Sequence, residues 1–354
     1  MPNSKRLEQA IVHLDELEAI VVDDPIDLYY LTSLQLSLGR LFIFKDRKPV
    51  LCVDGRYAEA AAQQNLVDVQ IWDWKSPLPF ALPKRIGFDS LKTTYAQFEQ
   101  LMHLAPTTDW VALQGPILQQ RMIKDEGEIA LLKEVARLGT QGYQYVLTLL
   151  KEGITEQEVA CELEIFWKRH GAEGVAFSPI IAFGEHSAFP HHRASSRKLR
   201  QGDIVLIDIG VSLHHYQSDM TRVCFFGSVS QQLQHIYKLV LHAADKAYEL
   251  CRPGVLIGEV DAAARNFIES SGYHFIHGLG HGVGLEVHEK PRVRISTADA
   301  DLPLKPGMVL TIEPGIYLPN EGGVRLEDTI VITHNGYESL TQCSMQPVDV
   351  LTQL

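Results

Sequence analysis

Short, continuous apolar runs punctuate the first third of the chain: AIVV from Ala19, LFIF from Leu41, PVLCVD from Pro49, DVQIW from Asp68 and RIGFD from Arg85. Runs of this length without strict alternation read as strands buried on both faces. Helix-like stretches separate them, so residues 1–120 are expected to form an α/β domain. Ser76–Pro83 holds three prolines and is expected to be a loop. Asp54-Gly55-Arg56-Tyr57 reads as a strand end running into a turn. Near Arg121 the pattern changes. Ile129, Leu132, Val135, Ala136 and Tyr143 follow helical spacing. Thr155-x-x-Glu158 is a capping box ahead of Val159, Leu163, Phe166 and Trp167, with Gly171 as the stop. Further helices are expected at about 231–251 and 258–270.

Between and after these helices lie two strand pairs, and each carries acids within apolar surroundings. Asp208 sits in GDIVLIDIG and Asp219 in QSDMTRVCFF, either side of a turn near Leu213-His214. Glu313 sits in GMVLTIEPG and Glu327 in GVRLEDTIVI, either side of a turn near Asn320. Residues equidistant from a hairpin turn face each other across the ladder, and like charges placed so repel. A weak repeat links the pairs: LRQGDIVLIDIG from Leu199 runs in step with LKPGMVLTIEPG from Leu304, and maps Asp208 onto Glu313. The expectation for residues 121–354 is an α+β domain of two similar halves. Helices cover one face of a curved antiparallel sheet, and four carboxylates converge on the other.

Four negative charges in a concave site are costly unless cations sit among them. Two divalent ions cancel them, so a dinuclear centre is favoured over a single metal. Oxygen-rich ligands with one imidazole favour manganese, with cobalt, iron or zinc as substitutes. The imidazole is His281, within HGLGHGVGLEVHE from His277 to Glu289. Three histidines among four glycines suit a site that backbone approaches closely, and the glycines argue against a zinc-binding helix. Pro190-His191-His192 is a second histidine signal. Arg325, Thr221 and Thr311 are placed to orient ligating carboxylates.

Length and composition set the frame. A chain of 354 residues favours two domains, and 45% hydrophobic with 21% charged residues is ordinary for a globular protein. The net charge of −12 argues against nucleic-acid binding. MPNSKRLEQA has no apolar signal core, and no run reaches the length of a membrane span. Five scattered cysteines without a CxxC read as reduced thiols, hence a cytoplasmic setting.

The order of LIDIG, SDMTR, GHGVGLEVHE, TIEPG and GVRLED resembles the pita-bread metallopeptidases, in the Xaa-Pro dipeptidase (prolidase) and aminopeptidase P branch. The resemblance spans about residues 121–345; DLYYLTS and DGRY extend it weakly into the first half. It implies that Asp219 and Glu327 bridge two metals, that Asp208 completes one site, and that His281 and Glu313 complete the other. A water between two cations supplies hydroxide near neutral pH and attacks a peptide carbonyl. His191, His277, His288, Glu313 and Arg325 form the catalytic set: Glu313 moves the proton, His191 and His288 meet the tetrahedral intermediate, and His277 lines the proline pocket. Arg292, in HEKPR, is the candidate anchor for a substrate carboxylate, which would favour dipeptides. The resemblance also implies a homodimer with the partner's N-terminal domain near the active-site mouth. Three rivals remain. A methionine aminopeptidase leaves the first half of the chain without a counterpart. A creatinase-like hydrolase lacks the ligand set. A non-enzymatic binding module on the same fold would lack metal-dependent turnover.

Overall fold

The computed structural model describes residues 3–12 and 16–352. The chain divides into two compact units, the first ending at Arg121 and the second beginning at Met122.

In the first unit the apolar runs form a six-stranded sheet in the order Asp68–Ile71, Val50–Val53, Arg40–Phe44, Ala19–Val22, Arg85–Asp89, Asp109–Leu113. Ala19–Val22 pairs antiparallel with Arg40–Phe44 and parallel with Arg85–Asp89, so the sheet is mixed. The three strands from Ala19, Arg40 and Val50 are buried at every position, whereas Asp68–Ile71 and Asp109–Leu113, at the edges, are partly exposed. Ser76–Pro83 forms neither helix nor strand. Asp54 caps the single 3-10 turn Gly55–Tyr57.

The second unit pairs helices with hairpins twice. Glu126–Leu149 and Glu156–Arg169 both start at capping boxes, Asp125 with Glu128 and Thr155 with Glu158. Each box satisfies backbone donors that the first helical turn leaves open. Gln231–Tyr248 and Ile257–Ser270 form the second helix pair. One four-stranded sheet runs Val348–Asp349, Met220–Phe226, Asp203–Ile209, Ile180–Phe183. One five-stranded sheet runs Glu289–Val293, Gly280–Gly282, Val309–Ile312, Asp328–Ile332, Tyr337–Ser339. The repeat noted in the sequence falls on corresponding strands, Asp203–Ile209 and Val309–Ile312. Each is entered through a left-handed glycine, Gly202 at φ 91° and Gly307 at φ 88°. An antiparallel bridge between Thr221 and Glu327 joins the two sheets where the acids lie. The core beneath draws on both halves, with Leu206, Val223, Leu310 and Ile330 packed against Ile236, Val240, Val260 and Ala264 of the second helix pair.

The first hairpin differs from its expected register. Its turn is centred on His214 and His215, both left-handed at φ 52° and 66°, one position later than Leu213-His214. Asp208 therefore pairs with Thr221 rather than with Asp219. Asp219 falls diagonally on the same face, still within reach of the acid cluster. In the second hairpin Ile312 pairs with Asp328 and Gly315 with Arg325, so Glu313 and Glu327 lie opposite each other between those pairs.

Candidate metal centre

One cavity of about 400 Å³ gathers Asp208, Asp219, His281, Glu313 and Glu327 with His191, His277, His288 and Arg325. The acids reach it from strand ends. Asp208 is in the Asp203–Ile209 strand, Asp219 just precedes Met220–Phe226, Glu313 just follows Val309–Ile312, and Glu327 just precedes Asp328–Ile332. His281 is the middle of the short strand Gly280–Gly282, which runs between two neighbours. Only glycine fits on either side of it. A Cβ at Gly280 would overlap the Thr311 carbonyl, and one at Gly282 the Lys290 carbonyl.

Two threonines fix the orientation of two of the carboxylates. The Thr221 hydroxyl donates to Glu327 Oε2 at 2.6 Å and accepts from Arg325 Nε at 3.2 Å. The Thr311 hydroxyl donates to Glu313 Oε1 at 3.3 Å and accepts from the His281 amide at 3.1 Å. Arg325 does not reach Glu327 directly. Its Nη2 donates to Asp208 Oδ2 at 2.5 Å, and its Nη1 donates to the Tyr317 hydroxyl at 2.8 Å. Tyr317 in turn meets His277 Nε2 at 2.9 Å, while His277 Nδ1 lies 2.8 Å from the Gly278 carbonyl. Both nitrogens of His277 are thus engaged, which makes it a wall residue with no free atom for proton transfer. Nothing in the sequence singled out Tyr317 beyond its place four residues after Glu313.

The electrostatics call for cations. Burial and the charge of Glu327 push the carboxyls of Asp219 and Glu313 well above their ordinary range. Burial and Asp208 push Glu327 up to about 8. Burial, reinforced by His288, lowers His281 to about 3, so its imidazole is neutral. Its Nδ1 faces the Gly282 carbonyl at 3.1 Å, which leaves the Nε2 lone pair 3.6 Å from Asp219 Oδ2 and 3.5 Å from Glu313 Oε1. A lone pair aimed at two carboxylates is repulsive without a positive charge between them. Asp208 Oδ1 is buried without a hydrogen-bond partner. Ligand atoms of Asp219, His281 and Glu327 all lie within 4.8 Å of one another. This donor set fits divalent metal.

The remaining histidines frame the cluster. His288 packs edge-on against His281 with ring centroids 4.2 Å apart, and burial lowers its pKa, so it too is neutral. Its neighbour Glu289 is locked by a buried ion pair with Lys124 at 2.7 Å. His191 is exposed on its loop but lines the cavity. His192 also borders the cavity, but its Nε2 is bonded to Glu156 Oε2 at 2.8 Å. Arg292 does not line the cavity wall. It is exposed, and stands across the ladder from His281, beside His288.

Comparison with known proteins agrees with this geometry. Residues 130–334 match metallopeptidase family M24, and residues 5–123 match the Creatinase/Prolidase N-terminal domain. The chain is 36% identical over 345 residues to an Xaa-Pro dipeptidase of Pyrococcus horikoshii, covering 96% of this chain and 97% of that one. Among solved structures it resembles an Xaa-Pro dipeptidase from Bacillus anthracis, with a TM-score of 0.91 and 30% identity over 98% of this chain and 99% of the other. It also resembles an X-Pro aminopeptidase from Thermotoga maritima, with a TM-score of 0.84 and 29% identity over 94% and 98%. With a two-halved helix-and-sheet unit, four converging carboxylates and a neutral imidazole among them, the chain belongs to metallopeptidase family M24.

Proposed function

We propose that the protein hydrolyses the Xaa-Pro bond of dipeptides and short peptides. The observation that carries this reading is the cluster of four carboxylates and His281 at the wall of a cavity sized for a small peptide. Two divalent ions would be held here by Asp208, Asp219, His281, Glu313 and Glu327, with Asp219 and Glu327 shared between them, Asp208 serving one, and His281 and Glu313 the other. Manganese is the working metal, since oxygen donors outnumber nitrogen. Bound there, the ions supply a water acidic enough to act near neutral pH and positive charge for the scissile carbonyl.

The chain's own residues do the rest. Glu313 takes the proton of the attacking water and delivers it to the proline nitrogen as the C–N bond breaks. The N–H groups of His191 and His288 donate to the oxyanion that develops on the carbonyl. His277, lowered to about 4 by burial, stays neutral and forms the wall against the proline ring. Arg325 holds Asp208 in place through one oxygen and leaves the other for metal. Arg292 receives the carboxylate of a dipeptide. All five cysteines are unpaired thiols, which supports a cytoplasmic setting. Among the described residues no helix is long and apolar enough to cross a membrane. The family resemblance supports a homodimer.

Turnover of Ala-Pro, Ala-Pro-Ala and Met-Ala-Ser after metal stripping and Mn²⁺ restoration tests this. Cleavage of Ala-Pro is expected, with Arg292→Ala raising its KM. Cleavage of the proline tripeptide alone would make the enzyme an aminopeptidase P and remove the role of Arg292. Cleavage of only the methionyl peptide would overturn the substrate class, and no cleavage with any metal would favour a binding module. Tyr317→Phe removes the hydroxyl between His277 and Arg325. We expect kcat/KM to fall about 10-fold with metal content unchanged. Wild-type kcat/KM in that variant would mean that the hydroxyl only fills space.

A further inference from the structure

The loop that carries His191 is anchored away from the metal cluster. Its anchor is Glu156, the first residue of the Glu156–Arg169 helix, whose side chain has no exposed surface. Five hydrogen bonds end on that carboxylate. Oε1 accepts from the Phe183 amide and from His186 Nδ1, both at 2.9 Å. Oε2 accepts from His192 Nε2 at 2.8 Å, the Ser195 amide at 2.9 Å and the Ser195 hydroxyl at 2.6 Å. These donors lie on both sides of His191 along the chain. The return leg of the loop is tied to the same helix start, with the Glu156 amide donating to the Arg197 carbonyl at 3.2 Å and the Gln157 amide to the Ser195 carbonyl at 3.1 Å. The outgoing leg has a further tie: the Ser187 hydroxyl accepts from the Gly323 amide at 2.8 Å, on the strand that bears Arg325.

We propose that Glu156 is a positioning residue for catalysis: through His192 and Ser195 it fixes the backbone around His191 and thereby sets where that imidazole meets the substrate carbonyl. This rests on the role given to His191 above. An oxyanion donor must sit within a few tenths of an ångström of its working position, and an exposed loop supplies no such precision without an internal anchor. A buried carboxylate with five donors is such an anchor. Burial works against its charge, yet the bonds from Ser195, His192 and Phe183 hold its carboxyl below the usual range.

Glu156, His186 and His192 also bring ligand atoms within 4.8 Å of one another, the spacing of a metal site. The bonding argues against that use. Each imidazole faces a carboxylate oxygen at hydrogen-bond distance and so presents an N–H, where a metal needs a lone pair. Ser195 and the Phe183 amide occupy further acceptor positions.

The test is a double-mutant cycle on the manganese-loaded enzyme with Ala-Pro. Glu156→Gln and His192→Ala should each lower kcat about 10-fold, and His191→Ala about 100-fold, with KM within about 2-fold of wild type. Adding Glu156→Gln or His192→Ala to His191→Ala should then cost nothing more, because each acts only through His191. A further 10-fold loss in the His191→Ala background would overturn the proposal, as would an unchanged kcat in both positioning variants. An unaffected His191→Ala enzyme would sink the His191 reading and the proposal with it. Loss of a metal equivalent in His192→Ala would replace the anchor with a further metal site. If Glu156→Gln fails to fold, the His192→Ala and His191→Ala cycle carries the same test.

Discussion

Glu327→Gln is expected to abolish peptidase activity while making the metal-free protein more stable. The two effects share one cause. Glu327 is buried beside Asp208, and its carboxyl is pushed up to about 8 because ionisation there is opposed first by burial and then by Asp208. In the metal-free protein that charge is a liability, and an isosteric amide removes it. The Thr221 hydroxyl still finds an acceptor, since the amide oxygen can take the place of Oε2. A gain of roughly 1 kcal/mol at pH 8 corresponds to a midpoint about 2 °C or more above wild type in a chelator-treated melt. With metal present the order reverses, because the amide is a poor bridging ligand. Metal content should drop by about half or more, and kcat/KM by about 1,000-fold or more. Turnover with both metals retained would contradict the bridging role. A metal-free variant less stable than wild type would show that Glu327 is held for packing rather than for cations.

The parts of this site that were legible in the sequence are those set by local pattern. Strand alternation and turn residues bring Asp208 and Asp219, and Glu313 and Glu327, to one face. The glycines around His281 mark a strand that neighbours approach closely on both sides. The repeat from Leu199 and Leu304 places the same glycine-turn-strand unit in each half. What stayed hidden depends on longer-range geometry. Shifting the first turn to His214-His215 moves the partner of Asp208 by two residues, and nothing in SLHHYQ specifies which pair takes the left-handed positions. Tyr317 earns its place through contacts to residues 8 and 40 positions away, and a tyrosine in a strand carries no mark of that. Glu156 reads in sequence as an ordinary first-turn acid of a capped helix, since its five donors arrive from Phe183 to Ser195. The edge strand Asp109–Leu113 is only partly buried, and its short apolar run Trp110–Leu113 does not by itself distinguish a strand from a helix segment.

Between pH 6.5 and 8 the metal-free protein should lose stability as pH rises, whereas the stabilisation conferred by manganese should grow. Asp219, Glu313 and Glu327 all have folded-state pKa values above their ordinary ones, through burial first and neighbouring carboxylates next. In this window an unfolded chain has already released the Glu327 proton, while the folded chain still largely holds it, and Asp219 and Glu313 are shifted in the same direction. The folded state therefore binds more protons, and raising pH disfavours it. Glu327 alone, moving from 4.5 to about 8, contributes a loss of about 1.5 kcal/mol across the window, from roughly 1.4 kcal/mol per pKa unit. Below pH 6.5 a second effect enters with the opposite sign. His277 and His281, lowered to about 4 and about 3 by burial, remain neutral when folded but take up protons when unfolded, so acid works against the fold there. The metal-free stability curve should accordingly flatten below pH 6.5 and fall above it. Metal binding requires the deprotonated carboxylates, so the gap between loaded and metal-free midpoints should widen steadily toward pH 8. Thermal melts of chelated and manganese-loaded protein at half-unit pH steps measure both curves. Parallel curves would mean that Asp219, Glu313 and Glu327 ionise without strain and that the charge argument for two cations fails. In Glu327→Gln the fall above pH 6.5 should be reduced, which ties the slope to the cluster rather than to the surface charge of an acidic protein.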